Sequence, residues 1–274
     1  MGHYPNLGVK VERGPLLDGF GENLKEVIPV GSHQTEVNVA NVLRVSGADI
    51  LINYLPSGSM KASEFYAEQA LIAGCGFING IPESIASDTK WGRRFKDAGL
   101  PLAGDDIKSQ VGGTIVHRIL TDLFIKRGVK IDESYQLNIG GNTDFYNLSE
   151  ESRVRSKLAS KTAAVQSLIP YEIPVIVVPP NYVDFLGDNK ICYIQLKWRK
   201  FGMAPITIDL KLSVEDSPNS AGVMIDMIRA MKIALDKGIS GALTAICAYY
   251  SKNPPEQYPD DAAYRKVEKF IGRS

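Results

Sequence analysis

The sequence predicts an α/β protein in which a parallel sheet covered by helices is joined to a second, α+β layer. Three observations carry that prediction. Short apolar runs alternate with helix-length segments between residues 48 and 139, glycines stop the helices, and beyond residue 173 the pattern turns to paired β-rich runs.

Residues 1–36 are rich in Gly and Pro, including R-G-P-L-L-D-G-F-G at residues 13–21, and show no long period. Loops with one short strand are expected there. From Ala48 the run A-D-I-L-I-N-Y-L reads as a buried strand that meets the turn P-S-G-S at residues 56–59, and a helix follows over residues 61–73. Gly74 ends that helix, because glycine accepts the left-handed backbone of a helix stop, and F-I-N at residues 77–79 is the next strand. A helix over residues 89–98 stops at Gly99, L-P-L-A supplies a short strand, and a longer helix over residues 107–126 stops at Gly128 before a strand at residues 135–139. Such alternation places ligands beyond the carboxyl ends of the strands, and those ends carry L-P-S-G-S, N-G-I-P-E-S and G-D-D-I-K-S.

Next, N-I-G-G-N-T-D-F-Y-N-L from Asn138 ends a strand in a turn and leads to a helix carrying Lys157 and Lys161 on one face. Residues 174–178, 191–198 and 206–214 are β-rich with hairpin-like connections, and I-T-I-D-L-K-L-S-V alternates as a sheet with one wet face would. E-D-S-P-N-S opens a helix ending at Gly238, whose Met224, Met227, Ile228, Met231 and Leu235 keep the spacing of core packing. The tail holds A-Y-Y-S-K-N-P-P-E-Q-Y-P-D-D and a last short helix.

Composition excludes several function classes. Lys and Arg total 31, as do Asp and Glu, and no basic stripe with interleaved aromatics occurs, so no nucleic-acid partner is expected. Cys75, Cys192 and Cys247 are far apart and in no metal-ligand spacing, which suits small core residues in a reducing compartment. No apolar run approaches the ~20 residues of a membrane span, and the N-terminus lacks a signal-peptide core. A soluble, cytoplasmic protein with no membrane partner is expected. His3, His33 and His117 lie in no ligand or triad pattern, and His117, midway along a helix, reads as structural.

Five places put polar groups where this layout forms a cleft. At Gly104-Asp105-Asp106 a strand ends and a helix is expected to begin with Lys108 and Ser109 in its first turn; its free N–H groups favour an anion, and the competing reading makes Asp106 a helix cap. Asp144 with Lys157 and Lys161 is the second place, against a solvated helix face. Lys190 follows the turn G-D-N and begins a strand, against an exposed strand end. Asp216 is the fourth, with capping as its alternative. Lys252 is the fifth, where Pro254-Pro255 hold the following backbone extended, against a solvated loop lysine. Lysines converging on a phosphorylated substrate suit anion binding, and their repulsion lowers the pKa of at least one toward neutral proton exchange.

Six motifs in one order resemble the myo-inositol-1-phosphate synthases, especially the shorter bacterial and archaeal type: G-D-D-I-K-S-Q from Gly104, N-I-G-G-N-T-D-F-Y-N-L from Asn138, S-K-L-A-S-K-T from Ser156, F-L-G-D-N-K from Phe185, V-E-D-S-P-N-S-A-G from Val214 and S-K-N-P-P-E-Q from Ser251. The resemblance implies an incomplete Rossmann-like parallel sheet over residues 1–106 and 217–274, with an inserted α+β catalytic and oligomerisation domain over residues 107–216. It implies tightly held NAD, a cation near the cofactor phosphates, a homotetramer, and a place in inositol and phospholipid biosynthesis. The reaction implied converts glucose 6-phosphate to inositol phosphate by oxidation at C5, enolisation, intramolecular aldol closure and re-reduction.

Carried over by motif, Lys157 and Lys252 would serve proton transfer and charge stabilisation around O5, while Lys161 and Lys190 would face the phosphate and the C1 oxygen. Asp106, Asp144 and Asp216 would orient these lysines or the nicotinamide end. Ser109, Gln110 and Asn142 would be phosphate neighbours, and Pro56, Ser57, Gly58, Asn79 and Gly80, with Asp106 and Asp216, would meet the cofactor. The family's strand, glycine-rich turn and helix that hold the NAD pyrophosphate are expected ahead of the first residues of this chain. Its nearest imitation, G-C-G-F-I-N-G from Gly74, runs from helix to strand, the reverse of the required order. A fragment, a truncated gene product and a natural variant all fit that departure. Two further readings stand beside the synthase: a non-catalytic module that binds sugar phosphate or assembles with other subunits, and an NAD-dependent dehydrogenase.

Overall fold

The computed structural model describes residues 7–19, 21–25, 27–28 and 34–272. Its first half runs α1 (Glu22–Lys25), α2 (Val39–Val45), β1 (Ile50–Asn53), α3 (Met60–Ala73), β2 (Gly76–Asn79), α4 (Thr89–Asp97) and β3 (Pro101–Ala103). The three strands pair in parallel, Leu51 opposite Phe77 and Phe77 opposite Leu102. Every residue of β2 and β3 is buried, as expected of strands covered on both faces. Gly74 closes α3 at φ 82°, a left-handed conformation, and its N–H reaches back to Ala70 and Leu71.

The chain then builds a second sheet through α5 (Gly113–Lys126), β4 (Lys130–Gly140), α6 (Thr143–Leu148), α7 (Glu151–Gln166), β5 (Val175–Val177), β6 (Asn181–Tyr182), β7 (Asn189–Arg199) and β8 (Pro205–Glu215). This five-stranded sheet has the order β5-β4-β7-β8, with β6 also on β4. The β4–β7 and β7–β8 pairs are antiparallel. Alternate β7 residues Cys192, Ile194, Leu196 and Trp198 form its core against Val116, Leu120 and Phe124 of α5, the period-two pattern of a sheet with one buried face.

The chain returns through α8 (Asp216–Asp236), β9 (Gly241–Ala242), α9 (Thr244–Tyr250) and α10 (Asp260–Ile271). Strand β9 pairs in parallel with β3, completing a four-stranded sheet of order β1-β2-β3-β9. The methionine row holds as core: Met224, Met227 and Met231 are buried against Phe77, Ile78, Phe95 and Leu102. Cys75, Cys192 and Cys247 are buried and free. Among the described residues no helix is long and apolar enough to cross a membrane.

Two expectations are corrected. The helix expected from residue 107 begins at Gly113, and its N-cap is Gly112. Residues 105–112 cannot form helical bonds because their N–H groups are taken from afar: Asp106 donates to Ile81 O, Ile107 to Gly80 O, Lys108 to Tyr250 O and Gln110 to Asn219 O. Asp106, at φ 59°, is therefore neither a helix cap nor part of a helix start. Among the described residues of 1–36 there is the helical turn α1 but no strand. His3 and His33 lie outside the described residues.

One buried residue ties the two halves together. Arg118 of α5 is fully buried; it donates through Nε to Asp260 Oδ2 at 2.8 Å, through Nη2 to Tyr258 O at 2.6 Å, and through Nη1 to Ala164 O. Replacing it with methionine leaves the partly buried Asp260 carboxylate with Lys108 Nζ at 3.7 Å as its cation, so the loss should fall at or below the low end of the about 3–5 kcal/mol that breaking a fully buried pair costs. Urea unfolding of Arg118→Met should show that loss as a lower midpoint with an unchanged slope.

Candidate active site

Asp106 is the centre on which the site is built. It is fully buried, and its Oδ1 accepts from Lys157 Nζ at 3.1 Å and from Lys252 Nζ at 2.8 Å. Its Oδ2 accepts from Ser160 Oγ at 2.6 Å. Burial alone would raise its pKa, but the two ammonium groups and these hydrogen bonds hold it well below the usual carboxylate range. Helix α7 brings Lys157, Ser160 and Lys161 to one side because residues three and four apart share a face. Lys252 arrives from the loop after α9, where its N–H bonds to Asp106 O and its Nζ also donates to Ile107 O at 2.6 Å.

The adjacent acid, Asp105, has a different task. Its carboxylate accepts from the N–H groups of Ile85, Ala86 and Ser87 at 3.0, 2.9 and 3.0 Å and from Asn79 Nδ2 at 2.7 Å. Burial outweighs these donors and pushes its pKa up to about 6. Asp105 clamps the loop after β2, while Asp106 faces the lysines.

A second ion pair closes the opposite side. Lys190, near the start of β7, lies 2.8 Å from Asp216 Oδ1 at the first position of α8 and 5.8 Å from the Phe145 ring centroid. Asp216 is held below its ordinary pKa, because burial, which raises it, is overcome by Lys190 and then by Lys157 and Lys252. Asn142, the N-cap of α6, reaches Asp188 at 3.2 Å and Asp216 at 3.4 Å. Asp144, half-buried, stands 3.9 Å from Lys157.

The lysines are not equivalent. Burial would lower Lys157, but Asp106 and Asp144 hold it above the ordinary ammonium range. Lys252 falls to about 8, since burial and the charges of Lys157 and Lys190 outweigh Asp106. Lys161 is buried at 5 % exposure, and burial, then Lys190, Lys157 and Lys252, push it down to about 7. A cation so surrounded by cations gains most from an arriving anion.

These groups open into a cleft of about 680 Å³. It is lined by Lys157, Lys161, Lys190, Lys252, Asp144, Asp216, Asn142 and Ser109, and at the strand ends by Pro56, Ser57 and Gly80. A pocket of about 20 Å³ shares Lys161, Lys190, Lys252 and Ser109 and is otherwise lined by Gly112, Gly113, Thr114, Ile115, Gln136 and Asn138. The N-terminus expected at Asp106 thus stands at Gly112, and it does face the lysines.

Four predicted residues do not line the cleft: Asp106, fully buried behind the lysines that it holds, and Gln110, Asn79 and Gly58. Gln110 lies on Gly222, where a Cβ would come within 2.7 Å of its carboxamide. Asn79 spends its side chain on Asp105, Glu83 O and Asn53. Gly58 donates its N–H to Glu83 Oε1 at 2.7 Å. Sequence reasoning missed Ser160, which its place between Lys157 and Lys161 could have revealed, and Asn138. Asn138 is fully buried, and its Nδ2 has no hydrogen-bond partner. Its signal was a polar residue on an apolar strand, on the same face as Gln136.

Comparison with known proteins is consistent across the chain. The family model described as myo-inositol-1-phosphate synthase matches residues 112–217. A Corynebacterium glutamicum protein named inositol-3-phosphate synthase is 46% identical, over 97% of this chain and 76% of its own length. The protein of that name from Mycolicibacterium smegmatis is 48% identical, over 97% and 75%. Among solved structures, a myo-inositol-1-phosphate synthase-related protein from Thermotoga maritima shares the fold with a TM-score of 0.78 and 24% identity, over 90% of this chain and 75% of that one.

Proposed function

The chain belongs to the myo-inositol-1-phosphate synthase family, and from that premise we propose that it is an inositol-3-phosphate synthase acting on glucose 6-phosphate. The observation that carries the reading is the set of lysines around Asp106 and Asp216, all opening on one cleft at the carboxyl ends of a parallel sheet.

The reaction is an isomerisation without net redox change. The sugar is oxidised at C5, the ketone acidifies a proton at C6, the enolate carbon attacks the C1 aldehyde, the proton lost from C6 is balanced by the one the C1 alkoxide takes up, and C5 is reduced again. Each stage places negative charge on oxygen, so preorganised cationic donors lower every barrier. Lys252, lowered to about 8, takes the proton from the C5 hydroxyl and later returns it. Lys157, kept charged by Asp106 and Asp144, stabilises the oxyanion at O5. Lys161 and Lys190 meet the phosphate and the developing alkoxide at C1. Ser109, Asn138 and Asn142 stand within reach of the same charges. Gln110 packs its carboxamide against Gly222 while its backbone N–H bonds to Asn219 O, so it supports the first turns of α8 rather than touching the phosphate.

The nicotinamide end of NAD fits the cleft, where Leu55, Ile81 and Met224 form an apolar wall beside the lysines and Pro56, Ser57 and Gly80 form its strand-end border. Bound there, NAD supplies the hydride acceptance and return at C5. A cation beside the cofactor phosphates would have no protein cage here: among the described residues no group of three or more His, Cys, Asp or Glu is arranged to hold a metal ion. A cytoplasmic homotetramer completes the proposal, supported by the exposed Phe201 and Phe185 of the second sheet's loops and the half-exposed strand β8.

The chain incubated with glucose 6-phosphate and NAD should release inositol phosphate while free NADH stays constant. Accumulating NADH would assign a dehydrogenase instead, and calorimetric sugar-phosphate binding without turnover would assign a non-catalytic module.

A further inference from the structure

His117 belongs to no part of the machinery above, yet it is fully buried and hydrogen-bonded at both nitrogens. Its Nδ1 lies 3.2 Å from Gln136 Oε1, and its Nε2 lies 2.6 Å from Ser134 Oγ. Gln136 Nε2 in turn donates to Asn138 Oδ1 at 3.0 Å. The chain ends at Asn138, whose Nδ2 is a buried donor without a partner and which lines the pocket that Lys161, Lys190 and Lys252 share, a space of about 20 Å³ that admits one oxygen of an anion seated in the adjoining cleft. We propose that His117 is a positioning residue for anion binding: through Gln136 it sets which end of the Asn138 carboxamide faces that pocket.

A carboxamide's nitrogen and oxygen ends have nearly the same shape, so packing alone does not choose between them. Hydrogen-bond polarity does. With its proton on Nδ1, the imidazole donates to Gln136 Oε1, which turns Gln136 Nε2 toward Asn138 Oδ1 and leaves the Asn138 NH₂ for the anion. The Nε2 lone pair then accepts from the Ser134 hydroxyl. With the other tautomer every bond reverses. Gln136 donates to Nδ1, Asn138 donates to Gln136, and the carbonyl of Asn138 points into the pocket. Ser134 Oγ can serve either state, because Gln195 O stands at 3.0 Å as an alternative acceptor for its proton. A phosphate group selects the donating state, and free ammonium groups favour the other. No charge on His117 is needed, in accord with a ring that burial keeps neutral, its pKa pushed down to about 4.

The inference takes its anion, phosphate, from the synthase reading, so its test uses inorganic phosphate by calorimetry on the full chain, with folding checked by circular dichroism. His117→Leu removes the donor at similar volume and should weaken phosphate binding about tenfold, the scale of one hydrogen bond to a charged group. His117→Asn restores an amide nitrogen at the Nδ1 position and should stay within about threefold of the parent. Asn138→Ala should weaken binding comparably, and adding His117→Leu to it should cost nothing more, since the effect runs through Asn138. In turnover, His117→Leu should raise KM for the sugar phosphate and leave kcat nearly unchanged. Full phosphate affinity in folded His117→Leu, additive losses in the double variant, failure of His117→Asn to restore binding, or a parent that takes up no phosphate would each overturn the inference. If all the binding effects appear but no inositol phosphate is made, the synthase reading falls and the positioning role stands.

Discussion

Asp106→Asn is expected to lower kcat by about a hundredfold to ten-thousandfold, the range associated with a lost acid–base partner. The carboxylate is shared: one oxygen accepts from both Lys157 and Lys252, and the other holds Ser160. Asparagine keeps the volume but removes the charge that lets two ammonium groups sit on one atom. Lys157 loses its raised pKa, and Lys252, which Asp106 alone among its main neighbours holds up, falls below about 8. The acidic limb of the residual kcat/KM profile should therefore move to lower pH. Stability should fall as well, by about 3 kcal/mol or more for a buried charge pair broken on one side. Asp106 has a depressed folded pKa, so its stabilising contribution is present above the unfolded carboxyl pKa of about 3.9. It is lost as pH falls through the folded value. The stability gap between parent and variant should hold at neutral pH and narrow in acid. An unchanged pH profile with full turnover would remove Asp106 from the centre of the site.

The parts of this arrangement that local patterns encode were readable from the sequence, and the parts made by distant contacts were not. Strands β1 to β3 announced themselves as apolar runs because helices cover both faces of their sheet, and Gly74 marked a helix end because its backbone is left-handed there. The helix start near residue 107 was misplaced because nothing in I-K-S-Q forbids helix. What prevents it is bonding to Ile81, Gly80, Tyr250 and Asn219, partners that no local window contains. The lysine pair shows the same divide. Spacing put Lys157 and Lys161 on one face, but whether that face is wet depends on Asp106, 51 residues before Lys157 and 146 before Lys252. Only the family motifs joined them. Of the two acids in G-D-D, sequence could not say that Asp105 clamps a loop while Asp106 meets the lysines. Gln136 and Asn138 carried a local signal, polar residues at alternate strand positions, whose meaning needed His117 behind them.

Lys252→Met should cost at least about a thousandfold in kcat while leaving KM for glucose 6-phosphate within a few-fold, because the phosphate is held by Lys161, Lys190 and the pocket of Asn138 rather than by Lys252 alone. Two acceptors, Asp106 Oδ1 at 2.8 Å and Ile107 O at 2.6 Å, fix the ammonium, which leaves its third N–H direction for the cleft. A group that must accept a proton works in its neutral form, so with a pKa of about 8 the parent's kcat/KM should rise as pH rises through that value and then level. The variant's residual rate should lack this limb. Lys252→Arg separates the two roles this residue could have. Arginine retains the positive charge but does not give up its proton below pH 12 or so, so a role in charge stabilisation alone predicts substantial rescue and a role in proton transfer predicts almost none. The expected result is almost none. Should arginine restore turnover, or should the limb survive in Lys252→Met, the proton acceptor would be reassigned to Lys161, whose burial among the other lysines brings it to about 7.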